Sequence, residues 1–189
     1  MFIEVEETPN PATLKFIPGQ PLAASHHFDS PQSAADSPLA SRLFEVGGIS
    51  SVYLGSDFIS VSKTPQESWT ELKPVILAGI MDHFASGEPA IRQSGPPEQS
   101  NAVSAEDDDV VQQIKELLHT RVSPAVARDG GDIQFHSFDE GVVHLVMRGA
   151  CAGCPSSTFT LKAGIENLLR HYIPQVKEVR AVEEAGYGA

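Results

Sequence analysis

The sequence predicts an α+β protein made of two small domains joined by a flexible linker. Three observations carry that prediction. Strand-length apolar runs and stretches of helical spacing occur together in each half. Between the halves, residues 88–105 are rich in Pro, Gly, Ser, Gln and Asn and break both patterns. The 189 residues leave enough chain on either side for a core. The expected boundaries are therefore 1–87, 88–105 and 106–189.

Composition sets outer limits. The chain is 41% hydrophobic and 20% charged, the profile of an ordinary globular protein. Its formal net charge of −12 weighs against a role built on nucleic-acid phosphates, so no nucleic-acid partner is expected. No apolar run approaches the length needed to span a bilayer, so no membrane partner is expected either. The start Met1-Phe2-Ile3-Glu4-Val5-Glu6 has neither the basic residues nor the apolar core of a targeting segment. The expectation is a soluble bacterial cytoplasmic protein, with the mitochondrial matrix as the alternative.

Phe2 to Glu6 alternates apolar and acidic residues and reads as a half-exposed strand. Thr8-Pro9-Asn10-Pro11 is a turn, and Thr13-Leu14-Lys15-Phe16-Ile17 a second strand stopped by Pro18-Gly19. Residues 20–37 read as loop. His26 and His27 fall there, where adjacent side chains are solvated more often than metal-bound. Ser37-Pro38 opens a helix with a cap and a proline at its first position, and Gly47-Gly48 ends it. Ile49–Leu54 and Phe58–Ser62, separated by Gly55-Ser56-Asp57, form a hairpin. Thr64-Pro65-Gln66-Glu67 resembles a capping box. Trp69, Leu72, Ile76, Ile80, His83 and Phe84 follow at helical spacing, a stripe that reads as core, and Pro74 interrupts its hydrogen bonding. This half has no cysteine and no recognisable nucleophile motif, so binding or specificity suits it better than chemistry.

In the second half, Glu106-Asp107-Asp108-Asp109 places acids at a helix start, where the helix dipole favours them. Val110, Ile114, Leu117 and Leu118 make that helix amphipathic. Pro124 and Arg128-Asp129-Gly130-Gly131-Asp132 close it off, and turn geometry outweighs a metal role for the two aspartates. Ile133–Phe138 and Val142–Met147 form a hairpin through Asp139-Glu140-Gly141. His136 and His144 on it read as structural. A helix carries Leu161, Ile165, Leu168, Leu169 and Tyr172 on its inner face and stops at Pro174. Val176, Glu178 and Val179 suggest a last strand, and residues 181–189 a frayed tail.

Between hairpin and helix lies Gly149-Ala150-Cys151-Ala152-Gly153-Cys154-Pro155-Ser156-Ser157, which holds both cysteines of the chain. Pro155 suits a first helical position. The free N–H groups of that helix start favour negative charge and are expected to lower the thiol pKa values. Two thiols at this spacing can cycle as a dithiol–disulfide pair, or supply half of a zinc or iron–sulfur site. Either metal option uses four ligands, so a thiolate-only site needs two chains. A thiol–disulfide oxidoreductase needs one, but the aromatic residue that precedes the first cysteine in thioredoxin-like motifs is missing.

Both halves resemble NFU-type iron–sulfur scaffold and carrier proteins. In the second half the resemblance rests on Asp129-Gly130-Gly131-Asp132, on Gly141-Val142-Val143, and above all on the cysteine segment continuing to Thr160-Leu161-Lys162-Ala163-Gly164-Ile165-Glu166, as in the C-terminal domain of NifU proteins. In the first half it rests on Thr8–Phe16, Ser37-Pro38-Leu39-Ala40 and Asp57-Phe58-Ile59. The resemblance implies a non-enzymatic carrier. Cys151 and Cys154 of each chain in a homodimer would bind one [4Fe–4S] cluster, received or assembled there with an upstream scaffold and passed to apo iron–sulfur enzymes.

Overall fold

The computed structural model describes residues 2–22, 25–92, 108–152 and 155–182, with residues 155–157 by backbone alone. The chain divides into two compact units, Met1–Glu98 and Gln99–Ala189, each with its own core. The architecture is α+β in both. Most of the expected linker, the acidic pair Glu106-Asp107, the pair Gly153-Cys154 and the end of the tail lie outside the described residues.

In the first unit, β1 (Glu4–Glu7), β2 (Thr13–Ile17), β3 (His26–Phe28), β4 (Ile49–Leu54) and β5 (Ile59–Lys63) form one antiparallel sheet in the order β1-β2-β5-β4-β3. Two helices pack with it, α1 (Pro38–Phe44) and α2 (Trp69–Ser86). Phe16, Leu39, Leu43, Leu54, Ile59, Ile76 and Ile80 are fully buried between them. Ser37 caps α1, its Oγ accepting from the Ala40 N–H at 3.1 Å and donating to the Ala90 carbonyl at 2.6 Å. Residues 88–92 of the expected linker belong to this unit. The Arg92 N–H donates to the Asp36 carbonyl, and Ala90 and Ile91 pack on the core.

Two local expectations change. The helix expected from Thr64 begins at Ser68, whose Oγ accepts from the Thr70 N–H. Thr64 is instead tied to the end of β5, its N–H donating to the Gly48 carbonyl at 2.8 Å. α2 continues through Pro74, which cannot donate to the Thr70 carbonyl. The stretch read as loop contains β3. His26 and His27 lie on it, paired with Leu54 and Tyr53 of β4.

In the second unit, α3 (Asp109–Leu117) runs into one π-helical turn, Leu118–Val122, and then α4 (Ser123–Arg128). Pro124 therefore does not end the helical run. It sits at the start of α4, beyond the wider turn, where a missing N–H costs little. β6 (Gly131–Asp139) and β7 (Val142–Gly149) pair antiparallel. Glu140 and Gly141 both have positive φ, 50° and 89°, as a two-residue hairpin turn requires. α5 (Pro155–Tyr172) then crosses back so that β8 (Glu178–Val182) lies parallel to β7. Ile114, Leu118, Ile133, Val143, Leu145, Leu169 and Val179 form the core. Glu166 of α5 accepts from the Val179 N–H at 3.1 Å, pinning the crossover helix to the last strand. Among the described residues no helix is long and apolar enough to cross a membrane.

Candidate functional site

The thiol of Cys151 sits where the two ends of the β6–β7 hairpin meet. Gly131 opens β6 and faces Gly149, which closes β7. Gly130 and Gly149 both adopt positive φ, 77° and 62°, and let the chain turn tightly into and out of the ladder. The Ala150 N–H donates to the Gly130 carbonyl at 3.1 Å, and the Cys151 N–H to the Arg148 carbonyl at 3.3 Å. From the far side, the Thr158 hydroxyl of α5 donates to the Cys151 carbonyl at 3.1 Å. Strand end, turn and helix are therefore stitched together around one residue.

Cys151 carries a free thiol and is 7% exposed, packed into the core with Ile133, Leu145 and Ile165. Gly131 forms its wall. A Cβ at 131 would overlap Sγ of Cys151 and stand 3.2 Å from the Arg148 carbonyl oxygen. The sequence marks Gly130-Gly131 as a turn. It carries no sign that the second glycine makes room for sulfur, because that contact exists only once β6 and β7 close.

The thiol's electrostatics correct an expectation. Helix-start geometry argues for a lowered pKa, but burial pushes the Cys151 thiol up to about 12, and the Asp129 and Asp132 carboxylates add to the rise. Asp132 lies opposite the buried Arg148 in the ladder and accepts from Gln134 Nε2 at 3.3 Å. Both aspartates thus border the site, although turn chemistry accounts for them in sequence.

Cys154, the second expected ligand, lies outside the described residues. The histidines are scattered. His136 is exposed at a bulge of β6, with Nδ1 3.3 Å from Ser137 Oγ. His144 pairs in register with Ser137 and Arg180. His83 is fully buried in the first unit, its ring edge-on to Phe84. Among the described residues, no group of three or more His, Cys, Asp or Glu side chains is placed to hold a metal ion. The first unit has an open groove of about 580 Å³ between α1 and α2, bordered by Arg42, Asp82, Glu88 and Arg92.

Two α+β units, the second with a buried cysteine at a strand–turn–helix junction, describe a small thiol-bearing protein. Comparison with known proteins makes the class specific. Residues 3–87 match the model of the scaffold protein Nfu/NifU N-terminal domain, and residues 114–180 that of the NifU-like domain. A human protein, the mitochondrial NFU1 iron-sulfur cluster scaffold homolog, is 50% identical over 185 residues, covering 96% of this chain and 72% of its own length. The mitochondrial NifU-like protein 4 of Arabidopsis thaliana is 47% identical, with 95% of this chain and 65% of the relative covered. A solved structure of a NifU-like protein from Saccharomyces cerevisiae is 25% identical and covers 50% of this chain and 87% of its own, at a TM-score of 0.44. The chain belongs to the NFU-type iron–sulfur scaffold family. It spans roughly two thirds of the length of these curated relatives.

Proposed function

We propose that this chain is a carrier, not an enzyme, whose cargo is a [4Fe–4S] cluster held between two copies. The observation that carries the reading is the pair Cys151 and Cys154, the only cysteines of the chain, which fall in sequence between β7 and α5 in a member of a family of iron–sulfur scaffolds. Iron–sulfur clusters are held by four thiolates in the usual case. One chain supplies two, so a second copy would complete the set. The residues suit such cargo. Ala152 and Gly153 carry side chains too small to crowd it.

Release follows from the same placement. Cys151 is joined to regular structure on both sides, through the Gly131–Gly149 pairing and through Thr158 of α5. Ligand exchange with thiolates of a recipient apo-protein would free the cluster without unfolding β7 or α5. The upstream partner is a scaffold that loads the site. Residues 106–189 would carry the cargo, while residues 1–87 would recognise recipients or tune the dimer. The names of the relatives support the mitochondrial matrix over the bacterial cytoplasm.

Native mass spectrometry under anaerobic conditions, after reconstitution with ferrous iron and sulfide, tests the reading. A dimer carrying the mass of one [4Fe–4S] unit, lost in Cys151→Ser and in Cys154→Ser, is the expected result. A metal-free monomer with the two cysteines joined as a disulfide, where a control protein reconstitutes, would replace it with thiol redox chemistry. Zinc at two thiolates per chain and no absorbance near ~400 nm, where thiolate-to-iron charge transfer falls, would replace it with a structural zinc dimer.

A further inference from the structure

α2 is apolar on both its sides. Leu72, Ile76 and Ile80 are buried in the core of the first unit, as a packed helix requires. The opposite side of a surface helix is ordinarily polar. Here Pro74, Ala78, Met81 and Ala85 recur at intervals of three and four residues, with Val75 beside them, and all five are exposed, Val75 at 49% and Met81 at 45%. On one flank this strip descends into the groove against α1, where Ala35, Pro38, Val46, Val75, Ala78 and Gly79 supply apolar lining. Leu43 and Arg42 of α1 stand within 4 Å of where a Cβ on Gly79 would lie, so the two helices meet closely at the groove. An apolar strip continuous with a concave seam is the form of surface that helical segments dock on.

The charges around it are unequal. Arg42 and Arg92 lie 4.0 and 3.4 Å from the Glu88 carboxylate and share it. Asp36, Glu45, Glu71 and Asp82 are exposed and have no ion-pair partner among the described residues. Lys73, the single Lys or Arg of α2, falls on the strip's far flank, in line with Leu77. Glu71, Val75, Ala78 and Asp82 follow one line along the helix, so a carboxylate closes each end of an apolar middle, about 16 Å apart. The surface therefore complements a ligand that is apolar in the centre and positive at its edges. It does not suit a second copy. A twofold contact sets the same patch against itself, and two antiparallel α2 helices would bring Glu71 of each onto Asp82 of the other, like charge against like.

We propose that the α1–α2 groove and the outer strip of α2 are the docking surface for a basic amphipathic helix of a partner protein. Its aliphatic side chains lie on Val75, Ala78 and Met81, and its Lys or Arg side chains meet Glu71, Asp82 and Glu45. The proposal names the chemistry that the first unit recognises, and rests on the carrier reading above only for the partner's role.

The test follows the amide NMR signals of the full, isotope-labelled chain during titration with a synthetic helix of Leu and Ala, about three to four turns long, with lysines bordering its apolar stripe. A twin peptide carries glutamates in place of the lysines. In the expected result the lysine peptide shifts the signals of Val75, Ala78, Gly79 and Asp82 and of α1, and the glutamate twin shifts none. Asp82→Lys keeps its far-UV circular dichroism and weakens the lysine peptide by about ten-fold or more, the scale of like charges opposed at a contact. Glu45→Lys, on the other helix, repeats the test independently. No shift, or shifts confined to other residues, overturns the surface. Equal binding of the glutamate twin overturns the basic partner. Shifts at this strip on concentrating the chain without peptide, with a dimer in sedimentation, overturn it in favour of a second copy. Iron and sulfide bound after anaerobic reconstitution are expected to be the same in Asp82→Lys as in the unmodified chain. A chain that binds the lysine peptide at the groove but no cluster in either form sinks the carrier reading and leaves the docking surface standing.

Discussion

Gly131 and Cys151 are twenty residues apart in sequence, yet the absence of a side chain at one decides where the sulfur of the other lies. Gly131 has no positive φ, so a larger residue there meets no backbone penalty and the effect is purely one of space. Gly131→Ala is expected to destabilise the second unit by about 1–3 kcal/mol, the range for overpacking a filled core. It is also expected to lower iron bound per chain. Thermal unfolding and iron analysis after reconstitution check the two effects. Full iron content with unchanged melting would show that the wall yields freely.

The buried thiol makes a kinetic prediction for the cluster-free chain. Only thiolate reacts with alkylating agents. In a Cys154→Ser background, alkylation of Cys151 is expected to be slow at neutral pH. The rate should keep rising with pH where an ordinary cysteine has levelled off, because burial, Asp129 and Asp132 all favour the protonated thiol. Asp132→Asn removes one of those carboxylates and is expected to speed the reaction by a factor of about 2–10 at fixed pH. Mass-resolved alkylation measures both.

His83 supplies an acid-sensitive element in the first unit. It is fully buried, neither ring nitrogen has a hydrogen-bond partner, and its pKa is lowered, chiefly by burial and further by Arg42, with Glu88 opposing. With the folded pKa below the unfolded one, the unfolded state takes up the proton first. Stability from this group is therefore complete above about pH 6.5 and falls as pH drops toward the folded value. Urea midpoints at about pH 7.5 and 5.5 are expected to differ in the unmodified chain. They should move closer together in His83→Leu, which removes the titration and the two unpaired nitrogens.

Ser37 holds α1 at both its ends of contact, as cap to Ala40 and as donor to Ala90. Ser37→Ala is expected to cost about 1–2 kcal/mol, the upper part of the range for a lost cap. The lost anchor of residues 88–92 should also show as faster amide exchange at Arg92, whose N–H is bonded to Asp36. Hydrogen exchange with mass detection separates that effect from simple helix fraying.

What could be read from sequence was set by nearest neighbours. β2 runs over Thr13–Ile17 as its apolar pattern predicts, because Pro11 and Pro18 bound it locally. α1 and its cap follow from Ser37-Pro38 alone. The helix start at Ser68 was obscured because Thr64 and Ser68 are each followed three residues later by Glu, and only the bond from Thr64 to Gly48 excludes the first. β3 has three residues, two of them histidines, and exists through its pairing with β4. The cysteine motif was legible as a pattern, and its environment was not. A helix start is a local feature, whereas the carboxylates and the glycine wall around Cys151 arrive with β6.

The four buried residues Ile114, Leu118, Val122 and Val126 recur at every fourth position. A regular α-helix turns about 100° per residue, so each would stand some 40° further round than the last, and the stripe would drift off the core. The π-helical turn over Leu118–Val122 winds more slowly and takes back part of that rotation. It acts as a phase correction that keeps Val126 inward and sets the bearing on which the chain leaves α4 for Gly130 and Gly131. Deleting one residue from that turn would swing the exit by about 100° and carry the glycine wall away from the sulfur. The position of the thiol pocket is thus indexed by the pitch of a helix that shares its core.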